Sequence, residues 1–127
     1  MAVVNAEIIS RTPFANGIAW GEFGPYERID GTINFEVEPG NPSNSAIMDL
    51  KHSPVNDSGK VTFTSDFVLL QPSDREPTRL LVDVVNRGRK RAIPDFNMVS
   101  PTLSPSSEID PGDGFLFRNG YAVLSVG

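Results

Sequence analysis

The sequence of 127 residues contains no cysteine and only one histidine. The absence of cysteine excludes a disulfide scaffold, a thiolate metal site and a cysteine nucleophile. No apolar run approaches the roughly 20 residues that a membrane-spanning helix requires. Residues 1–7 also lack the basic region and the apolar stretch of a signal peptide. We therefore expect a cytoplasmic protein with no membrane partner.

Positive charge is scarce as well, since 11 basic side chains stand against 16 acidic ones. A nucleic-acid binder needs surplus Lys and Arg on one face, so the net charge of −5 argues against such a partner. The charge is unevenly distributed, because residues 1–86 hold six basic and twelve acidic side chains, whereas residues 87–127 hold five and four. Four of the cations lie close together, namely Arg87, Arg89, Lys90 and Arg91.

Eleven glycines and eleven prolines divide the chain into short segments rich in β-branched and aromatic residues, a composition typical of strands. A chain of this length is expected to form one compact unit. Apolar and polar residues alternate over 26–37 and again over 60–71, which predicts strands with one buried face. We expect a mostly antiparallel, β-rich part over residues 1–78, with further short strands at 3–10 and 45–50.

The pattern changes in the last part of the chain. Residues 80–85 are apolar almost continuously, as in a parallel strand that is covered on both faces. Asp110-Pro111 is predicted to begin a short helix, and residues 121–126 are predicted to form another apolar strand. Residues 79–127 therefore predict one strand–helix–strand (βαβ) unit with its two strands parallel.

The segment after residue 85 is the main candidate site, because ligands of open α/β sheets bind at the carboxyl ends of the strands. Up to residue 109 it is long, polar and without an assignable element, and such loops in compact domains are often functional. Gly88 beside Asn86 and Arg87 allows close backbone approach, and peptide N–H groups there can stabilise an oxyanion. The alternatives are a solvated basic loop, cations paired with the acidic β-rich part, and a nucleic-acid or nuclear-localisation patch.

Other candidates have weaker support. His52 lies among loop residues, as an exposed histidine would, and the carboxylates of 108–113 lack calcium-loop spacing and fit helix capping better. No phosphate-binding glycine loop and no G-x-S-x-G occur, so we expect no metal, no cofactor and no catalytic residue within the chain. Trp20 belongs to an aromatic group that either binds a ligand or packs over the sheet. The candidate residues for contact with a ligand or partner are Trp20, Arg89, Lys90 and Arg91.

Five stretches occur in order along nearly the whole chain. They are Arg11-Thr12-Pro13-Phe14-Ala15 with Gly17; Gly24-Pro25-Tyr26-Glu27-Arg28-Ile29-Asp30-Gly31; Asn44-Ser45-Ala46-Ile47-Met48-Asp49-Leu50; Asp66-Phe67-Val68-Leu69-Leu70-Gln71-Pro72; and Val85-Asn86-Arg87-Gly88-Arg89-Lys90 with Gly114-Phe115-Leu116-Phe117-Arg118-Asn119-Gly120-Tyr121. Taken together, they resemble the N-terminal portion of a bacterial family of large α/β-hydrolase-domain proteins, which are ester hydrolases by fold.

The resemblance implies that residues 80–85 form the hydrolase strand before the oxyanion loop. It also implies that Asn86, Arg87 and Gly88 occupy the place of the His-Gly motif of lipases and esterases. These three residues depart from the usual Gly-rich pattern of that motif. The nucleophilic serine, the acid and the histidine of such enzymes lie later in the fold, so no triad residue is carried over to this chain.

We interpret the chain as the N-terminal segment of an α/β-hydrolase-type ester hydrolase, the incomplete front of that fold and inactive alone. The strand at 121–126 is then expected to have an unpaired apolar edge, which the missing C-terminal half or another copy of the chain would cover. The alternative is a free-standing small β-rich binding or interaction module, in which residues 121–126 pair within a closed sheet.

Overall fold

The computed structural model describes residues 1–99 and 108–127 of the chain. The middle of the long segment that has no predicted element, residues 100–107, lies outside the described residues. Single 3₁₀ turns lie at Ala15–Gly17, Gly21–Phe23, Pro42–Asn44 and Leu50–His52. The strands and helices, in chain order, are β1 (Ala2–Pro13), β2 (Tyr26–Val37), β3 (Val61–Pro72), β4 (Arg79–Val84), α1 (Ala92–Phe96), α2 (Phe115–Arg118) and β5 (Tyr121–Val126).

All five strands form one open sheet in the order β1-β2-β3-β5-β4. The neighbours β1-β2, β2-β3 and β3-β5 pair antiparallel, whereas β4 and β5 pair parallel. The prediction of a β-rich, mostly antiparallel fold is confirmed, and a parallel strand pair joined through helices follows it. The predicted boundary at residue 78 falls between β3 and β4 of this single sheet.

The two alternating segments form the long central hairpin of the sheet. β2 has the bounds predicted from the alternation, and β3 is displaced by one residue from the predicted 60–71. Their pairing runs without a register shift from Tyr26 opposite Pro72 to Val37 opposite Val61. β1 pairs with the outer edge of β2 but has register shifts between Val3 and Asn5 and between Ile8 and Ser10.

The predicted strand at 45–50 is wrong, because this segment folds into turns. The side chain of Asn41 accepts a hydrogen bond from the peptide N–H of Ser43 at 2.9 Å, at the start of the 3₁₀ turn Pro42–Asn44. Asp49 adopts a left-handed φ of 59° immediately before the 3₁₀ turn Leu50–His52. Side-chain bonds to the local backbone compete with sheet pairing, and a left-handed residue ends an extended segment.

The connection from β4 to β5 contains two helices where the sequence predicted one. The predicted helix is present, but it begins at Phe115 and not at Asp110-Pro111. Asp110 and Asp113 instead accept hydrogen bonds from the peptide N–H groups of Gly112 and Phe115, at 2.8 and 2.9 Å. These carboxylates therefore stabilise two successive turns before the helix. The five-residue α1 is too short to show helical periodicity.

Both helices pack on one face of the sheet and form the main core with it. The ring of Phe117 is fully buried, and its centroid lies 4.9–5.3 Å from those of Phe14, Trp20 and Tyr26. The Tyr26 hydroxyl lies 3.2 Å from the carbonyl oxygen of Phe117 and 2.8 Å from that of Tyr121. Burial raises the pKa of Tyr26 well above its usual value. The aromatic core thus joins α2 to the antiparallel strands.

Asn97, immediately after α1, joins the two helices. It is fully buried, its Nδ2 donates to the carbonyl oxygen of Pro111 at 2.9 Å, and its Oδ1 accepts from the peptide N–H of Leu116 at 3.0 Å. Its carbonyl oxygen also accepts from the peptide N–H of Asp113 at 2.9 Å. Because these buried polar groups satisfy one another, Asn97 holds the start of α2 against the end of α1.

Two expectations about the parallel strands are wrong. β5 is not an edge strand, because it pairs with β3 on one side and β4 on the other, and β4 takes the edge instead. Nor is β4 covered on both faces. Leu81 lies opposite the buried Val123, on the face that the helices cover, whereas Leu80, Val82 and Val84 are 58%, 52% and 80% exposed. The continuous apolar run therefore comes from one covered face and one open apolar face.

Candidate functional site at the carboxyl ends of β4 and β5

The three residues predicted to lie on the oxyanion side stand directly beyond the carboxyl end of β4. The chain stays beside β5 for one more residue, since the peptide N–H of Val85 donates to the carbonyl oxygen of Val126 at 3.0 Å. It then reverses direction. We call residues 86–91 the basic turn; they are Asn86, Arg87, Gly88, Arg89, Lys90 and Arg91.

A reciprocal pair of backbone hydrogen bonds closes the basic turn. The peptide N–H of Asn86 donates to the carbonyl oxygen of Arg89 at 3.2 Å, and that of Arg89 donates to Asn86 at 3.1 Å. The two central residues are left-handed, with φ of 53° at Arg87 and 77° at Gly88. Glycine adopts this conformation freely, whereas it costs an arginine about 1–2 kcal/mol. The geometry is that of a tight hairpin turn with one strained residue.

The peptide N–H groups of Arg87 and Gly88 donate to no group in residues 1–99 and 108–127. Because the flanking residues close the turn, these two adjacent donors are available to an external acceptor. Preorganised peptide donors of this kind stabilise negative charge on oxygen during acyl transfer. The oxyanion role of Asn86, Arg87 and Gly88 stays a prediction, and the geometry supplies donors with which to test it.

Asp83 of β4 holds the far end of the basic turn. Its Oδ2 accepts hydrogen bonds from the peptide N–H groups of Arg91 at 2.7 Å and Ala92 at 3.0 Å. A strand carboxylate thus pairs with peptide donors that the start of α1 would leave unsatisfied. The guanidinium of Arg91 lies 3.1 Å from the carboxylate of Asp95 in an exposed pair of the i,i+4 type, which adds little stability.

The other three cations of the basic turn behave differently from Arg91. In the part of the chain that the structure describes, the side chains of Arg87, Arg89 and Lys90 form no ion pair and no hydrogen bond. Pairing of these cations with the acidic β-rich part, one of the alternatives above, therefore does not occur there. The salt bridges of the β-rich part join Arg11 to Glu27, Arg28 to Asp30 and Lys60 to Glu36.

A cavity of about 50 Å³ opens beside the basic turn, between the ends of β4 and β5 and the middle of β3. Lys90 and Gly88 line it from the turn, Ser125 lines it from β5, and Asp66 lines it from β3. Lys90 is half-buried, Ser125 is only 5% exposed and Asp66 is exposed. The residues around this space for a few non-hydrogen atoms thus include one lysine, one serine and one aspartate.

Trp20 lies in the core beside α2 and does not line the cavity at the basic turn. Its ring is 5.3 Å from that of Phe117 and packs against Gly114, where any larger residue would collide with it. Its Nε1 is buried and has no hydrogen-bond partner among the described residues. The structure therefore separates Trp20 from Arg89, Lys90 and Arg91, and its contact with a ligand or partner stays a prediction.

The remaining candidates bring no catalytic group to the site. His52 is exposed at the end of a 3₁₀ turn, and its side chain forms no hydrogen bond to the described residues. Among those residues, no group of three His, Asp or Glu side chains lies close enough to hold a metal ion. In the same part of the chain, no helix has both the length and the apolar character needed to cross a membrane.

A larger and more open groove of about 420 Å³ lies near the end of β1 and the start of β2. Its two charged side chains satisfy each other, since the carboxylate of Glu27 accepts from Arg11 at 3.2 Å and also from Gln71 at 2.8 Å. The groove thus differs from the cavity at the basic turn, where Lys90 has no ion-pair partner within residues 1–99 and 108–127.

The sequence analysis missed three residues of the site, Asp83, Asp66 and Ser125. Asp83 carried a signal, because it is the one charged residue within the apolar run 80–85, and a charge in such a strand requires a partner. Asp66 carried none, because a polar residue in an alternating strand ordinarily marks an exposed face. Ser125 lies directly opposite Asp83 in the parallel register, so the two side chains share one face of the sheet.

Comparison with protein-family models, with curated proteins and with solved structures gives no match for the chain. The family resemblance carried by the five stretches therefore remains a prediction.

Proposed function

We propose that this chain is the front part of an α/β-hydrolase-type ester hydrolase, in which further parallel strands extend the sheet at β4 and bring catalytic groups to the basic turn. In this function Asn86, Arg87 and Gly88 lie on the oxyanion side of the site. The observation that carries the proposal is the edge of β4, which pairs with no described residue and has the basic turn at its carboxyl end.

The strand order limits where a further parallel strand can be added. β5 is paired on both sides, so such a strand can join the parallel part of the sheet only at β4. From β4 the chain continues to β5, which lies on one side of β4 in the sheet. An added strand would lie on the other side of β4. Open α/β sheets bind ligands at the carboxyl ends of strands where the strand order reverses in this way. The basic turn would occupy that position.

This chain contributes hydrogen-bond donors rather than a nucleophile. The free peptide N–H groups of Arg87 and Gly88 are suited to hold the oxyanion of an ester intermediate. In hydrolases of this kind one donor comes from the loop after such a strand and another from the residue after the nucleophile. The nucleophile, its base and its acid would come from the added strands, so the chain alone is expected to be inactive.

A second function, a free-standing small β-rich binding module, is favoured by the exposed apolar row of Leu80, Val82 and Val84 on β4. In that case an extended segment of another chain would pair with the β4 edge by strand addition. For either function we propose a cytoplasmic protein without a membrane or nucleic-acid partner.

The coding sequence that follows the codon of Gly127 tests the first function against the second. An ester hydrolase predicts an in-frame continuation that encodes G-x-S-x-G, followed by an acidic residue and a histidine. A stop codon directly after that of Gly127 would contradict this function and favour the binding module.

A pair of glycine variants tests the oxyanion role in the longer protein that the in-frame continuation would encode. Gly88 and Gly59 have φ of 77° and 74°, and neither has an atom within 4 Å of the position of an added Cβ. Alanine at either position should therefore cost a similar amount of stability, about 1 kcal/mol. We expect kcat/KM for a p-nitrophenyl ester to fall at least about tenfold in Gly88→Ala and to stay unchanged in Gly59→Ala. Equal losses in both variants would contradict the role.

A further inference from the structure

Three cations of the basic turn form no ion pair with any described residue. Arg87, Arg89 and Lys90 have no ion pair in residues 1–99 and 108–127, although the chain has a net charge of −5. Of the three, Lys90 is half-buried and lines the cavity at the ends of β4 and β5, whereas the two arginines are exposed. Cations held together in an acidic protein are suited to attract an anion from solution.

Ser125 provides a second polar group without a partner among the described residues. The residue is only 5% exposed, and its hydroxyl forms no hydrogen bond to the described residues. The hydroxyl oxygen is not sealed from the cavity, so it can take a hydrogen-bond partner there. Because Ser125 lines the same cavity as Lys90, a ligand that accepts hydrogen bonds would satisfy both groups at once.

The cavity restricts the chemistry of that ligand. Its volume of about 50 Å³ admits a group of a few non-hydrogen atoms. Asp66 also lines the cavity, so its negative charge nearby would repel a ligand with two negative charges more strongly than one with a single charge. We propose that this cavity binds a carboxylate group, with one oxygen on the ammonium of Lys90 and the other on the hydroxyl of Ser125.

This site goes beyond the proposed ester hydrolase, since the cavity and its polar groups belong to the described chain and need no further strand. If both hold, the cavity lies next to the oxyanion-side donors, and the preferred esters carry a free carboxylate near the scissile bond. If the chain is a binding module instead, the same cavity would hold a carboxylate of its partner.

Amide chemical shifts of the isotope-labelled 127-residue chain test the site with acetate as the probe and sodium chloride at equal ionic strength as the reference. We expect acetate to shift the amide signals of Gly88, Lys90 and Ser125 saturably, and chloride to leave them in place. Phosphate at a pH where it is doubly charged should bind more weakly than acetate. Equal responses to acetate and chloride would overturn the proposal.

Two charge-removing variants distinguish acetate binding at the cavity from nonspecific attraction to the charge of the protein. Lys90→Gln should weaken acetate binding about fivefold or more, because a charge-assisted hydrogen bond is lost. Lys51→Gln removes an exposed cation from a distant 3₁₀ turn and should leave acetate binding unchanged. Ser125→Ala, read out by the same titration, should weaken binding as well. Equal weakening by Lys90→Gln and Lys51→Gln would overturn the site, and neither result depends on whether the reading frame continues.

Discussion

The two edge strands of the sheet, β1 and β4, differ in how they are protected against further pairing. β1 is interrupted by two register shifts, at which Val4 and Ile9 have no partner on β2, and it ends at Pro13. β4 runs beside β5 without a shift and presents the exposed row of Leu80, Val82 and Val84 on one face. Natural proteins use bulges and prolines to block edge pairing. Both edges expose apolar side chains, so the difference lies in the regularity of the strand, and under the proposed function β4 is the edge that another strand would join.

The two edge strands also differ in how they pack against the rest of the fold. β1 is exposed along its whole length and pairs with β2, whereas β4 is connected to β5 through the helices that form the main core. The edge that lacks protection is thus the one that the core holds in place. A regular, apolar and firmly supported edge strand is suited to docking, because it need not be reordered when a partner strand binds.

The largest expected effect comes from removing the support of the β4 side. Asn97→Ala would leave the buried peptide N–H of Leu116 and carbonyl of Pro111 without their partners. We expect the free energy of unfolding to fall by about 3 kcal/mol, measured by urea denaturation. Asn5→Ala, the same change on exposed β1, should alter it by less than about 0.5 kcal/mol. Similar losses in both variants would contradict the difference in support.

The next largest effect targets the β1 side. A Cβ atom at Gly31 would collide with the backbone oxygen of Glu7 on β1 and the ring of Phe67 on β3. Gly31→Ala should therefore lower the free energy of unfolding by about 2 kcal/mol and speed amide hydrogen exchange in β1 but not in β4. Gly40 has open space around it, so Gly40→Ala serves as the control and should be neutral or slightly stabilising. If Gly31→Ala increased amide hydrogen exchange equally in β1 and β4, the stability of β1 would not be separate from that of β4.

A smaller effect is expected at the joint between α2 and the antiparallel strands. Tyr26→Phe keeps the packed ring but removes the hydroxyl that contacts the carbonyl oxygens of Phe117 and Tyr121. The free energy of unfolding should fall by about 1 kcal/mol in urea denaturation. An unchanged value would mean that these hydrogen bonds do not hold the helix to the sheet.

The same tyrosine predicts a dependence of stability on pH. Burial raises the pKa of Tyr26 in the folded chain, so above pH 10 the unfolded chain loses this proton first. The stabilisation is therefore fully present below pH 10 and is lost as the pH rises further. Urea denaturation from pH 8 to 11 should show a steeper loss in the wild type than in Tyr26→Phe. If the free energy of unfolding fell equally with pH in the two proteins, the pKa of Tyr26 would not be raised by burial.

The smallest expected change in stability concerns the edges themselves. Val82 on β4 and Ile9 on β1 are both exposed, so lysine at either position should change the free energy of unfolding by less than about 0.5 kcal/mol. The two variants therefore form a matched pair for measurements of association. A larger loss in Val82→Lys than in Ile9→Lys would indicate that the apolar row of β4 already contributes to the core.

Local structure was predictable where the sequence period is regular. The alternation over 26–37 and the apolar run over 121–126 have the same bounds as β2 and β5. The order of the strands was not predictable, because a strand–helix–strand pattern specifies parallel pairing but not which strand becomes the edge. The prediction of a strand at 45–50 failed because Asp49 takes a left-handed conformation, which apolar neighbours such as Ile47 do not reveal.

The location of the candidate site was predictable, and its chemistry was not. An apolar strand that ends at residue 85 places Asn86, Arg87 and Gly88 at its carboxyl end. The free peptide donors depend on the left-handed conformation of Arg87, for which the sequence has no signal. The cavity combines side chains from the basic turn, β3 and β5, and this combination follows from strand order and register rather than from local sequence.

The central claim is that β4, and not β1, is the edge that takes another strand. Sedimentation velocity of the 127-residue chain, from micromolar to millimolar concentration, tests it most directly together with Val82→Lys and Ile9→Lys. Because an open apolar edge pairs with whatever strand is available, we expect the wild type and Ile9→Lys to self-associate and Val82→Lys to remain monomeric. A wild type that stays monomeric throughout, or association that Ile9→Lys abolishes and Val82→Lys does not, would contradict the claim.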